Sequence, residues 1–156
     1  MENFHGFVIS SRRYEEKEAA KEIHYILEMV LEYEDVEVRP IYKLIGLSIA
    51  HFHQDPIKTL IKIEEKMVED PDLFRYVLKI VPIQYKLETD LSKIGDLADR
   101  FESELDKDDN WRVLLRRRAT NISHDEIVEA AAKEIDKVIV DLEDPEYIIR
   151  IELMEV

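Results

Sequence analysis

Residues 111–123 read WRVLLRRRATNIS, with Arg112, Arg116, Arg117 and Arg118 inside seven positions and no acid among them, in a chain whose formal net charge is -14. Taking those four from the 22 basic residues leaves 18 against 36 acidic ones, so the cluster runs against its background. If the stretch is a strand, Arg116 and Arg118 share one face and Arg117 takes the other. ATNIS then leads into a helix start. A strand end, a polar loop and a helix N-terminus bring guanidinium forks, backbone N–H groups and a positive dipole end together, and that combination binds phosphate. Pairing of the same arginines with acidic neighbours in a surface network accounts equally for the composition. Arg12 and Arg13 sit at a second junction of this kind, where solvation at a helix start is the competing account.

Two other constellations bear on chemistry. His51 and His53, at i and i+2 on a strand, face one side and with Asp55 suggest a metal cluster, but further ligands are missing and a strand end with a helix cap explains the same residues. Ser123, His124 and Asp125 are consecutive, which does not line up a nucleophile, a base and an orienter; Ser123 as a helix cap is the simpler account. With glycine only at positions 6, 46 and 95, neither a Walker loop nor a dinucleotide fingerprint can be drawn. The absence of cysteine excludes disulfides and thiolate chemistry. No catalytic site, metal or cofactor is expected.

Composition sets the frame. Hydrophobic residues make up 46% and charged residues 37% of 156 positions, the balance of a compact protein of one domain or two small ones. MENFHGFVIS lacks the pattern of a secretory signal and no eighteen apolar residues follow one another, so a soluble, cytoplasmic chain with no membrane partner is expected. Abundant Glu, Lys, Arg and Ile with few Asn and Gln match the thermophile bias. A sequence pI near 4.8 opposes indiscriminate nucleic-acid binding and leaves room for a local basic face.

The elements that must position the arginines follow from hydrophobic period. Phe4 to Ser10 reads as a strand, and the next segment as a helix with the stripe Ala19, Ala20, Ile23, Leu27 and Val30. VEVRPIY and LIGLSIAHF read as strands, with Gly46 a bulge or a close-packing point. Asp55 caps a helix opened by Pro56, with Ile57, Leu60, Ile61 and Met67 as its stripe. Phe74 to Val81 alternates as a strand ended near Pro82. Leu91, Ile94, Leu97, Ala98, Phe101 and Leu105 mark a helix after Thr89 or Asp90. Trp111 to about Arg117 is a strand with Trp111, Val113 and Leu115 toward the core. A helix follows with Ser123 and Glu126 at capping-box spacing, and YIIRIELM closes as a strand. The order β-α-β-β-α-β-α-β-α-β predicts an α/β (α+β) fold, mixed sheets covered by helices, divided before the Asp55 helix into 1–51 and 52–156.

WRVLLRRRATNISHDEIVEAAAKEI, followed by VDLEDPEYIIRIELME, resembles the core signature of the THUMP domain, an RNA-binding module of thiouridine synthases, RNA methylases and pseudouridine synthases. DPDLFRYVLKIVPIQYKLETDLSKI resembles the strand and helix that precede it, so the resemblance covers 52–156. The segment before it resembles the ferredoxin-like domain that accompanies THUMP. GFVISSRRYEEKEAAKEIHYIL is similar to the stand-alone archaeal and eukaryotic members that assist tRNA cytidine acetylation. The resemblance implies a non-catalytic adaptor that holds tRNA, by its acceptor end, while a separate tRNA cytidine acetyltransferase forms N4-acetylcytidine. It implies RNA contact for Arg116, Arg117 and Arg118, with Thr120, Asn121 and Ser123 behind them, then for Arg112, Arg75 and Lys79, and for Arg12 and Arg13. The sequence departs from the pattern at His124, where a second small polar residue is common, and is expected to stop short of the last strand of the family.

Two alternatives stay beside this reading. In one, the chain is the specificity part of another tRNA-modifying enzyme, a methylase, thiolase or pseudouridine synthase. In the other it is an acidic protein-interaction module whose arginines are internally paired.

Overall fold

A computed structural model of the chain describes residues 2–87, 90–102, 110–118, 120, 122–133, 139–140 and 147–154. The chain divides into two units, Glu2–Lys86 and a second from Leu87 onward. The division expected after residue 51 therefore moves to 86/87. The cause is tertiary: the strand after the Asp55 helix returns to the free edge of the first strand and closes the first sheet.

In the first unit β1 (Glu2–Ser10), α1 (Glu16–Tyr25), β2 (Glu37–Pro40), β3 (Leu47–His51), α2 (Pro56–Glu69) and β4 (Lys79–Lys86) follow one another. The sheet has the order β2-β3-β1-β4 with every neighbouring pair antiparallel. This is the ferredoxin-like arrangement, a split βαβ repeated once. It takes 85 residues, Glu2–Lys86, rather than the expected 51. Phe7 and Ile9 of β1, Ala50 of β3, Ala19 and Ile23 of α1 and Ile63 of α2 meet in its core. α1 runs into a π-helical turn, Ile26–Val30, closed by Leu31 N–H donating to the Ile26 carbonyl at 2.9 Å, and the wider turn carries Ile26 and Leu27 into the same core. Asp55 caps α2 as its type predicts, its carboxylate accepting from Lys58 N–H at 2.9 Å with Pro56 at the first helical position. The one polar pair deep in the α2 contact is satisfied, since the Tyr33 and Thr59 hydroxyls lie 2.9 Å apart.

The alternating run Phe74–Val81 is not one strand. Glu22 of α1 accepts from the backbone N–H groups of Arg75, Tyr76 and Val77 at 2.8–3.0 Å, and this capture takes the donors a strand would use. β4 starts at Lys79 and continues through Pro82 to Lys86. Proline is tolerated there because β4 is an edge strand, paired on one side by β1.

In the second unit α3 (Leu91–Glu102), β5 (Asn110–Arg118), α4 (His124–Lys133), β6 (Ile139–Val140) and β7 (Tyr147–Met154) build a sheet of order β6-β5-β7. β6 has no counterpart in the sequence reading. Asp90 opens α3, accepting from Ser92 N–H at 2.9 Å and its hydroxyl at 2.7 Å; Thr89 lies outside the described residues. Both described pairings are parallel, so the mixed sheets expected from the element order separate into one antiparallel and one parallel sheet. Val113 and Leu115 of β5, with Ile149, Ile151 and Leu153 of β7, pack against Ile94 and Phe101 of α3 and Ile127 of α4. Parallel strands carry their C-terminal ends to one edge, and there β5 delivers Arg116, Arg117 and Arg118.

Among the described residues no helix is long and apolar enough to cross a membrane.

Candidate nucleic-acid interface

β5 alternates with its period of two: Val113 and Leu115 enter the core, so Arg112, Leu114, Arg116 and Arg118 belong to the opposite face. Its partner β7 brings Ile148, Arg150, Glu152 and Met154 to that same face, because Arg112 pairs with Ile148, Leu114 with Arg150, Arg116 with Glu152 and Arg118 with Met154. Among the described residues of β5 and β7, four arginines therefore share one side of the sheet with a single carboxylate. Arg150 and Glu152 were missed by sequence reasoning. Their alternation with Ile149, Ile151 and Leu153 was visible, but the register that sets them beside β5 was not.

Glu152 organises this face. Its side chain is only 2% exposed, and it accepts from Arg118 Nη1 and, at 2.8 Å, from Arg150 Nε. A carboxylate so deeply placed is tolerated because it is paired and hydrogen-bonded on both oxygens. Arg116, directly opposite Glu152 in the ladder, is exposed, and among the described residues no ion pair or side-chain hydrogen bond holds its guanidinium. Arg112 Nε and Arg150 Nη2 are buried donors without a partner among the described residues. Among the described residues, the face thus carries more donors than Glu152 can take up.

Arg117 falls on the core side by parity, yet at the strand end it is exposed and its Nη1 donates to the Ile122 carbonyl at 2.7 Å, clamping the loop that follows. In that loop Thr120 Oγ1 accepts from Ile122 N–H at 3.2 Å. Ser123 and Glu126 form the reciprocal box their spacing predicts: Glu126 N–H donates to Ser123 Oγ at 3.2 Å, and Ser123 donates to the Glu126 carboxylate from its backbone at 2.9 Å and its hydroxyl at 3.0 Å. Those two bonds from Ser123 hold the Glu126 carboxyl below the ordinary glutamate range. Asp125 and Glu126 also put negative charge in the first turn of α4, which lessens the pull of that helix end on a phosphate. Thr120 and Ser123 therefore have structural work in the loop and cap. Asn121 lies outside the described residues.

The remaining sequence candidates are in the first unit. Arg12 and Arg13 are exposed just beyond β1, and Lys79 is the ladder partner of Ser10 at the same end of the sheet. Arg13 lies 5.7 Å from the Tyr14 ring centre, and Arg75 lies 5.5 Å from that of Tyr76. His51 stacks on Phe4 at 5.1 Å and stands 6.0 Å from His53, while Asp55 is occupied as a cap. Among the described residues no group of three or more His, Cys, Asp or Glu side chains could hold a metal ion.

No family model and no curated protein matches the sequence. In fold the chain is similar to the crystal structure of PH1313 from Pyrococcus horikoshii Ot3, with a TM-score of 0.65 at 19% identity over 97% of this chain. The match takes in 51% of that protein, so the chain spans about half its length. At that identity the similarity is one of fold: an α/β architecture, with helices on sheets.

Proposed function

We propose that the chain is a tRNA-binding THUMP protein that acts as a non-catalytic adaptor in tRNA modification, holding tRNA for a separate enzyme that forms N4-acetylcytidine. The observation that carries the RNA-binding part is the arginine face of the second sheet, where, among the described residues of β5 and β7, Arg112, Arg116, Arg118 and Arg150 share a side with a single carboxylate in a chain of 36 acids. Phosphate groups would complete that charge balance. Arg116 is the first contact and Arg117 a second at the strand end, and Arg118 acts through Glu152 to keep the face in order. Contacts of this sort give affinity and position with little base readout. The adaptor role and the acetylated product rest on the resemblance of WRVLLRRRATNISHDEIVEAAAKEI and GFVISSRRYEEKEAAKEIHYIL to that family.

A second reading, the specificity part of a methylase, thiolase or pseudouridine synthase, is favoured by one fact: the structurally similar chain is about twice as long, with 51% of it matched. Mass spectrometry of tRNA nucleosides from a strain lacking the gene separates the two. Loss of N4-acetylcytidine alone is the expected result. Loss of a different modified nucleoside supports the second reading, and an unchanged profile contradicts both.

A further inference from the structure

Two loops meet at one end of the first sheet. Residues 11–15 lead from β1 into α1, and residues 41–46 turn between β2 and β3. Ser11 N–H donates to the Gly46 carbonyl at 2.9 Å, and Gly46 N–H donates to the Glu16 carboxylate at 2.8 Å, so the loops are tied side by side. Gly46 has φ +76°, and a Cβ there would stand 2.8 Å from the Ser11 carbonyl oxygen, so the junction requires glycine.

These loops present two tyrosines to water: Tyr14 is 84% exposed and Tyr42 80%. Such rings add little to a core, and each has a cation beside it, Arg13 at 5.7 Å from the Tyr14 ring centre and Lys43 at 5.6 Å from that of Tyr42. Tyr14 and Lys43 also adopt left-handed backbone, φ +69° and +67°, a conformation that side chains of this size seldom take and that concentrates at functional positions. Glu15 and Glu16 are the only acids between Asn3 and Lys17, and none occurs from Val38 to Gln54, in this acid-rich chain. The adjoining Glu16 carboxylate is turned to the Gly46 N–H and its charge is engaged within the junction.

We propose that this loop pair is a stacking platform for unpaired nucleotides of RNA, a surface separate in the chain from the arginine strand; the proposal rests on the RNA-binding reading given above. Tyr14 and Tyr42 offer ring faces to bases, and Arg12, Arg13 and Lys43 offer charge to the connecting phosphates. A cation at one face of a ring leaves its other face to a base. Duplex RNA does not satisfy this surface, because its bases are already stacked on each other. Unpaired bases have free π-faces, and stacking on aromatic side chains tolerates any sequence.

The test titrates the full chain by fluorescence anisotropy with two labelled probes, an unpaired oligoadenylate about ten nucleotides long and a blunt RNA duplex of similar length. The double variant Tyr14→Ala, Tyr42→Ala is expected to bind the oligoadenylate at least about tenfold more weakly, with duplex affinity within about twofold of the unsubstituted chain. Tyr14→Phe with Tyr42→Phe, which keeps both ring faces, is expected to restore oligoadenylate binding. Unchanged oligoadenylate binding by the alanine variant, equal loss on both probes, or failure of the phenylalanine variant to restore binding overturns the platform while leaving the arginine face standing. If the unsubstituted chain binds neither probe, the RNA-binding reading itself fails, and the platform with it.

Discussion

Glu152 decides how the arginine face behaves, because among the described residues of β5 and β7 it is the one acid on a face with four arginines, and its side chain is almost wholly buried. Replacing it with an amide of the same shape removes the countercharge for Arg118 and Arg150. Glu152→Gln is therefore expected to lower stability by about 3 kcal/mol, measured by urea unfolding, because a broken buried pair leaves uncompensated charge. The same substitution is expected to strengthen tRNA binding at low salt. Opposite signs for stability and affinity distinguish this face from a purely structural ion-pair cluster. Glu16 makes a pH-dependent contribution at the other end of the chain. Hydrogen bonds from the Gly46 N–H, from its own backbone N–H and from that of Tyr14, with the Arg13 charge added, hold its carboxyl below the ordinary value of 4.5. A lowered native value means that the folded state binds the proton less well than the unfolded chain. The stabilisation is complete above the ordinary glutamate range and is lost as pH falls through the lowered value. Unfolding midpoints followed from neutral pH into acid are expected to fall less steeply for Glu16→Gln than for the unsubstituted chain.

Much of the local order can be read from residue types. Asp55 with Pro56 announces α2, Ser123 with Glu126 announces α4, and the alternation of Val113, Leu115, Ile149 and Ile151 announces the strands of the second core. Long-range partners are what the one-dimensional pattern cannot supply. Phe74–Val81 alternates like a strand, but Glu22, more than fifty residues earlier, takes three of its N–H groups and moves the strand start to Lys79. The division of the chain shifted with it, since β4 closes the first sheet. Glu22→Ala is expected to cost about 2 kcal/mol, as three backbone donors lose a charged acceptor. Hydrogen exchange should quicken at Arg75, Tyr76 and Val77 while β1 and β3 stay protected. Uniform loss of protection across the first sheet would mean that Glu22 holds the unit and not the segment. The arginine strand and the opposite parity of Arg117 are legible in the sequence, and the partners are not: Arg118 is drawn to Glu152 across 34 positions, and Arg117 is turned to the Ile122 carbonyl.

Taken as one polyanion, the chain should repel nucleic acid, with a net charge of -14. On the proposed reading, binding is confined to the acid-poor surfaces, the arginine face and the loop pair of the first unit, because approach elsewhere is opposed. Salt then acts in two directions, screening the general repulsion and replacing the counterions that phosphate contacts release. Release dominates where a contact is direct, so its signature belongs to particular side chains. The most direct measurement is tRNA affinity across a salt series for the full chain and for Arg116→Ala. The expected result is a log-log slope of several contacts at roughly -0.7 to -0.9 each, made shallower by about one contact in the variant with no change in unfolding midpoint. No binding at low salt, or an identical slope in the variant, would contradict the assignment of the arginine face to RNA.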